Sequence, residues 1–417
     1  MPFAPGCDGI YNTHEVHNSA PARIFERMNA TRSSFLTRNI WLLALVSLFN
    51  DVATEMLYPI LPVYLKTIGF SVAFIGVLEG FAEAFAGLSK GYFGNWSDTS
   101  GQRRPFVQVG YALSAVSKPL LAWFTQPAAV FLARTGDKLG KGVRTAARDA
   151  LLSDEATPET KGRVFGFHRS MDTLGAVIGP LLTLFLLQNH PGAYASLFAW
   201  AILPGLLAVL VTLLIRERRK ARHEGVTRPG WVDFFRYWRQ SPAAYRRLAR
   251  VLLVFTLFNS SDVFLLLKIK EAGYGDTELI GFYIFFNLIF AAASYPLGAL
   301  ADRLGMKRVF AAGLVLFAVT YAGMALTGTW WVFLALFGCY GLYAAATDGV
   351  AKAWISNISD KKDTATAIGT FTAFQSVASL LASSMAGLLW AWTGPAVVFL
   401  SSAIVAAVAA LVVVRQG

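Results

Sequence analysis

Long apolar stretches separated by short polar ones recur along nearly the whole chain. A helix that crosses a membrane needs roughly 20 mostly apolar residues. Twelve stretches meet that length, near 38–64, 72–97, 105–124, 128–150, 163–188, 194–215, 249–272, 277–301, 308–326, 330–355, 364–391 and 395–414. The pattern predicts an all-α integral membrane protein with twelve transmembrane helices, numbered here as spans one to twelve. Spans four and five carry enough polar residues for hydropathy alone to pass over them. Connections are short except for 216–248, which divides the spans six and six. The expected organisation is a tail (1–37), a six-helix bundle (38–215), a linker (216–248) and a second six-helix bundle (249–417).

Composition agrees with this pattern. The 417 residues are 55% hydrophobic and 15% charged, whereas soluble domains run about 25% charged. That balance excludes a disordered chain, a disulfide scaffold and an ordinary cytosolic enzyme. Cys7 and Cys339 form no redox or metal spacing. The net charge of +12 would suggest nucleic acid in a soluble protein; here it sits in the loops and implies no such partner.

Those loop charges set the expected orientation. Residues Arg216 to Arg250 hold eleven Arg and Lys against three acids, and Arg103, Arg104, Lys161, Arg163, Arg303, Lys307, Arg308, Lys361 and Lys362 lie on the same side. Connections near Gln126, His190, Gly328 and Gly394 carry almost none. The positive-inside bias places both termini in the cytoplasm. Residues 1–37 lack a continuous apolar core, so no signal peptide is expected. In the linker, Trp231, Phe234, Phe235 and Trp238 share a helical face with Arg236 and Arg239 nearby, the pattern of an amphipathic helix anchored at the inner membrane interface.

The two halves repeat. Gly94, Asp98, Gly101, Arg103 and Arg104 follow span two, and Gly298, Asp302, Gly305, Lys307 and Arg308 follow span eight; both are G-x3-D-x2-G-x-[RK]-R. Leu48-Phe49-Asn50 is echoed by Leu257-Phe258-Asn259. Parallel six-span halves that rock about a midplane site are a transporter architecture. Over nearly its whole length from residue 38, the chain resembles the major facilitator superfamily, of which the duplicated loop motif is the most specific mark. The stretch from Asn50 to Pro180 resembles a bacterial group of permeases within it. The resemblance implies a major facilitator fold of two pseudo-symmetric bundles and a monomer in the inner membrane. It also implies alternating access, with the motif as a latch holding the outward-open state, and spans one, four, seven and ten lining the cavity. In the first copy Thr99 stands where the second has Arg303, so the first latch is expected to be the weaker. Gly175, Gly179 and Pro180 resemble part of the motif of proton-coupled exporters, and Arg134 stands near a position where exporters carry a buried arginine.

Ionisable residues inside spans are functional candidates. Asp51, Glu55 and Tyr58 share one face of span one, and Glu79, Glu83 and Lys90 one face of span two. In span four Arg134, Asp137, Lys138, Lys141, Arg144 and Arg148 fall within about 120° of arc, a face that only a polar interior accepts. His168, Arg169 and Asp172 cluster in span five; Asp262, Lys268, Asn287, Asp348, Lys352 and Gln375 are the sparser polar set of the second half. Near balance of acids and bases implies that many pair with each other. His168 is expected to be a hydrogen-bonded core residue. Asp51, Glu55 and Glu83 are the candidate proton carriers, and the basic ridge of span four, centred on Lys138 and Lys141, suits an anionic solute.

No phosphate-binding loop, metal cluster or nucleophile–His pattern is present in the sequence, so no cofactor or metal is expected and the energy source is a proton, another ion or the solute's own gradient. The expected function is secondary active transport of a small solute, proton-coupled, as an exporter or an organic-anion transporter. Lipid flipping is the alternative within the same fold. A membrane enzyme acting on lipid phosphate, or a transporter-like sensor, is the alternative outside it; neither has a use for a duplicated latch.

Overall fold

The computed structural model describes residues 36–58, 60–190, 194–217, 230–259, 262–326 and 328–415. Most of the expected tail, and residues 218–229 of the linker, lie outside the described residues. Spans two to five are single helices, Val72–Ser100, Arg104–Trp123, Pro127–Glu155 and Lys161–Asn189; spans eight to twelve are Asp276–Leu304, Met306–Leu326, Trp330–Ile358, Thr364–Thr393 and Pro395–Arg415. Span one is broken into Arg38–Glu55 and Leu61–Thr67, and span seven into Ala243–Thr256 and Val263–Glu271. Span six is Tyr194–Trp200 followed directly by Ile202–Leu213.

Among the described residues, seven helices are long and apolar enough to cross a membrane by composition alone, namely spans five, six and eight to twelve. This corrects the expectation for span five: its charges crowd into the first twelve residues, Lys161 to Asp172, leaving an apolar run behind them. Span seven falls short because its two helices have 14 and 9 residues, and span four because its charged face is buried inside the bundle.

Both duplicated motifs also sit differently from expectation. They do not form loops: Gly94 and Asp98 belong to the last turns of span two, and Gly298 and Asp302 to those of span eight. The helices run on until Gly101 (φ 67°) and Gly305 (φ 95°), where only glycine enters the left-handed region without penalty. The Leu-Phe-Asn echo is not equivalent in space either, because Leu48–Asn50 lie within a helix while Leu257–Asn259 mark the break of span seven.

In the first half, span one packs on five and six, two on four, and three on four and six; in the second, nine packs on ten and twelve, eight on ten, and seven on eleven and twelve. Across the halves the large contacts are two with eleven, and five with eight and ten. The second half has a broad aromatic core, including Phe317 stacked on Tyr321 at 3.9 Å. The first half has a smaller apolar core near one end, since charged side chains occupy the rest. Leucines such as Leu203, Leu207 and Leu210 of span six are exposed, as a lipid-facing surface requires.

Candidate functional site: a charged cavity between the two halves

Span four approaches its neighbours closely because glycines interrupt its charged face. A Cβ on Gly140 would lie 2.5 Å from the Gly110 carbonyl oxygen, and one on Gly142 would lie 2.5 Å from the Ser89 side chain. At that separation long charged side chains on one helix reach acids on the next. Arg134 donates to both Glu79 oxygens in a fork, at 2.5 and 2.9 Å, and to Asp137 at 3.1 Å. Asp137 also takes Lys118 at 3.0 Å and the Ser114 hydroxyl at 2.6 Å. Lys138 pairs with Glu83. Arg148 pairs with Asp149 at 2.9 Å, and Asp149 reaches across the halves to Lys352 at 3.2 Å. Arg169 likewise bridges Asp172 at 2.6 Å and Asp348 at 2.8 Å.

As the near balance of charge implies, many of these residues pair: Arg134 with Glu79 and Lys138 with Glu83. What stays without an ion pair among the described residues is a smaller set. Lys90, Lys141 and Arg144 have no carboxylate within ion-pair distance; Arg144 donates to Ser114 at 3.0 Å and lies 4.5 Å over the Tyr111 ring. Asp51 and Glu55 have no cation. Asp51 accepts from Asn50 and meets the carboxyl of Asp172, while Glu55 buries one oxygen without a hydrogen-bond partner. Gly175 brings spans one and five together here: its Cβ would lie 2.7 Å from the Leu48 carbonyl and 2.9 Å from Asp51 Cβ. The Gly175–Gly179 pattern thus has a packing cause.

Around these side chains runs a cavity of adjoining lobes. One of 380 Å³ holds Asp51, Glu55, Lys90, Lys141, Arg144 and Asn287. A lobe of 240 Å³ lies against the second half at Asp262, Tyr340 and Asp348, and one of 130 Å³ joins Tyr58 to Lys138. The widest, 840 Å³, lies between spans two and eleven and is lined by Tyr58, Glu79, Glu83 and Ser383. Asp262 accepts from the Tyr340 hydroxyl at 2.6 Å, and Asn287 donates to the Tyr283 carbonyl at 3.0 Å. His168 lines none of these lobes; it is buried, and its Nε2 has no hydrogen-bond partner, so its expected role as a hydrogen-bonded core residue is only half met. Sequence reasoning passed over Ser47, Ser114 and Tyr111, which bond the charges, and the aromatic wall of Tyr283, Phe286 and Phe290. Only the spacing of the three aromatics on one face of span eight signalled them.

The cavity is closed at the end that bears the repeats. Asp98 pairs with Arg103 at 2.8 Å and accepts from the Thr366 N–H at 2.7 Å and hydroxyl at 2.9 Å, at the start of span eleven. Asp302 accepts from the Gly162 and Arg163 N–H groups at 2.7 and 2.9 Å, at the start of span five, and pairs with the Arg163 side chain at 3.2 Å. Each carboxylate therefore joins the two halves at the positive end of a helix. The two carboxylates carry matching sets of bonds: Thr99 bonds back to Trp96, and Arg103 holds Asp98 while also reaching Asp154 and the Ala150 carbonyl. Arg303 is exposed and forms no ion pair among the described residues. Its place beside Asp302 is filled by Arg163. Arg104 donates to the Leu213 carbonyl at 3.0 Å, and its N–H and that of Arg103 bind Glu217. Asp98→Asn and Asp302→Asn are accordingly expected to slow transport by comparable factors, severalfold each, at unchanged expression. Initial rates in liposomes check this; a loss confined to Asp302 would restore the unequal latch.

The linker helix Phe234–Gln240 packs against the bundle while Trp231 and Phe235 stay exposed. Its aromatic face meets protein: Trp231 stacks on Tyr92 of span two at 4.2 Å, and Phe235 and Trp238 both meet Phe374 of span eleven. Phe234 is buried over Gly91. The small residue at Gly91 leaves room for the Phe234 ring between the spans.

The profile of the Major Facilitator Superfamily matches residues 43–292 and 278–416. An MFS-type transporter of Methanocaldococcus jannaschii is 30% identical over 383 residues, covering 90% of this chain and 94% of the relative. The multidrug resistance protein MdtH of Photorhabdus laumondii is 27% identical over 134 residues, 32% of this chain and 33% of that one. Among solved structures, the human organic anion transporter MFSD10 superposes with a TM-score of 0.77 at 16% identity, covering 90% of this chain and 99% of the other. Matches over both halves, and a fold built from the same paired spans, lead to one conclusion: the chain is a multi-pass membrane transporter that belongs to the major facilitator superfamily.

Proposed function

We propose that this protein is a proton-coupled secondary active transporter that moves a small solute across the inner membrane by alternating access. The Arg and Lys bias assigns the latched end to the cytoplasm, with both termini there, so the cavity opens outward in this state. Residues 38–215 and 249–417 are the two bodies that rock. The observation that carries the coupling is the pair Asp51 and Glu55, carboxyl groups in the cavity wall with no cation in ion-pair contact among the described residues. Asp51 faces Asp172, Glu55 and Lys141; Glu55 faces Lys141, Lys138, Asp172 and Arg169. A proton on Asp51 relieves its contact with Asp172 and leaves Arg169 to that partner. Deprotonation restores the repulsion along the seam of spans one and five, beside the cross-bundle pair Arg169–Asp348. Proton occupancy and bundle contact are linked through one guanidinium.

The test uses purified protein in liposomes, a panel of organic anions and cations, and a pH gradient of either sign. Gradient-driven accumulation of at least one solute is expected. Asp51→Asn should abolish its dependence on the gradient while counterflow exchange survives. Uptake insensitive to the gradient in the unmodified protein would overturn the coupling. A second reading, export of the solute, is favoured by the partial likeness to MdtH; it predicts accumulation only in vesicles whose latched end faces the medium.

A further inference from the structure

The cations that remain unpaired lie together and on one side. Lys141 is exposed to the 380 Å³ lobe, with Arg144 one turn further along the same helix and Lys90 on the facing span two. Arg144 is buried and leaves its Nε without a hydrogen-bond partner. Among the described residues its only hydrogen bond is to Ser114, whose own hydrogen is committed to Asp137. A guanidinium without an ion pair in the wall of the lobe, beside an exposed ammonium, favours an anionic head there. Three carboxyls without an ion pair among the described residues line the same lobe: Asp51 and Glu55, half-buried, and Asp262, which accepts from Tyr340. None of them lies within ion-pair distance of Lys141 or Arg144.

The opposite wall is of another kind. Tyr283, Phe286 and Phe290 of span eight line the same lobe. Phe286 and Phe290 continue into the adjoining 240 Å³ lobe with Tyr340, which lies 5.0 Å from Phe286 between ring centres. The unpaired cations thus come from the first half and the aromatic surface from the second, which adds Asp262, Asp348 and Lys352 to the same lobe. Sites of this size take solutes of one to a few rings, and aromatic faces favour a flat apolar body.

We infer that the solute is an amphipathic organic anion, its carboxylate or phosphate head seated on Lys141 and Arg144 with Lys90 behind, and its apolar, ring-sized body against Tyr283, Phe286 and Phe290. The inference rests on the proposed transport activity and names its substrate class. A solute held this way touches both bundles at once, as a solute that triggers rocking must. Its head also draws Lys141 away from Asp51 and Glu55, which makes proton uptake by those carboxyls easier and ties the two cargoes together.

Calorimetric binding to the purified full chain in lipid nanodiscs tests the inference without requiring transport. Four probes separate the possibilities: 3-phenylpropionate, phenylalanine (the same skeleton with an added ammonium), inorganic phosphate and tetraphenylphosphonium. Expected is binding of 3-phenylpropionate that is at least tenfold tighter than that of the other three. Lys141→Ala should weaken it at least tenfold, and Lys141→Arg should recover most of the loss. Lys141 is exposed and without an ion pair, so its removal leaves folding intact; Arg144→Gln, read beside a thermal melt, is the second variant. Preferential binding of phenylalanine or tetraphenylphosphonium, failure of 3-phenylpropionate to bind, or binding unchanged by Lys141→Ala would each overturn the substrate class. Normal anion binding without gradient-driven uptake would instead overturn proton-coupled transport and leave the anion site standing.

Discussion

Asp137→Ala is expected to destabilise the protein by about 3–5 kcal/mol, the scale for leaving a buried charge without its partner. Asp137 is buried and takes two cations and a hydroxyl at 2.6–3.1 Å. Its removal strands Lys118, whose side chain is 3% exposed, while Arg134 keeps Glu79. The cost therefore belongs mainly to Lys118. Asp137→Ala combined with Lys118→Met should regain more than half of the lost stability, because no ammonium is then left in the core. Thermal unfolding in detergent, followed by tryptophan fluorescence, checks both variants. A single variant within about 0.5 kcal/mol of the parent, as for a surface change, would mean that water or lipid headgroups reach this node.

Gly298→Leu is expected to abolish closure of the latched end and reduce transport at least tenfold. Gly298 lies directly on the Gly162 backbone of span five, and even a Cβ would overlap the Gly162 carbonyl. Close backbone approach of this kind is what small residues permit between membrane helices. A leucine forces spans five and eight apart and with them the bonds from Gly162 and Arg163 to Asp302. Ala291, which accepts from the Ser170 hydroxyl at 2.6 Å in the same seam, supplies the readout. In a background of Cys7→Ser and Cys339→Ser, Ala291→Cys should resist alkylation, and adding Gly298→Leu should expose it. Gly281→Ala, where a Cβ meets nothing within 4 Å, should change neither labelling nor rate. Protection of Ala291→Cys that persists beside Gly298→Leu would show that the latch closes by another route.

Much of the architecture was legible in the chain, for a physical reason. Lipid offers no hydrogen bonds, so each crossing must be a helix of nearly set length, and twelve apolar stretches with one long basic linker follow the bilayer thickness. The duplicated motif was legible too, since a helix end that must stop and turn needs Gly101 and Gly305. Its position was misjudged, because nothing apolar marks the last turn of a helix that leaves the membrane. The list of ionisable candidates was also readable, as every charge in a span stands out against lipid.

What the list lacked was pairing. Helical periodicity puts Arg134, Lys138, Lys141 and Arg144 on one arc of span four and makes them look alike. Only the packing of spans two and three against that arc distinguishes them, giving Glu79 to Arg134, Glu83 to Lys138 and nothing acidic to Lys141 or Arg144. The same holds for Asp302, whose cation is Arg163, 139 residues away, and not the adjacent Arg303. Span number, helix ends and the inventory of buried charge obey local rules of length, hydration and backbone conformation, and these act within a few turns of chain. The pairing of each charge depends on distances of a few ångströms between helices remote in sequence, where Coulomb energy changes steeply with separation, and that was decided only when the bundles closed.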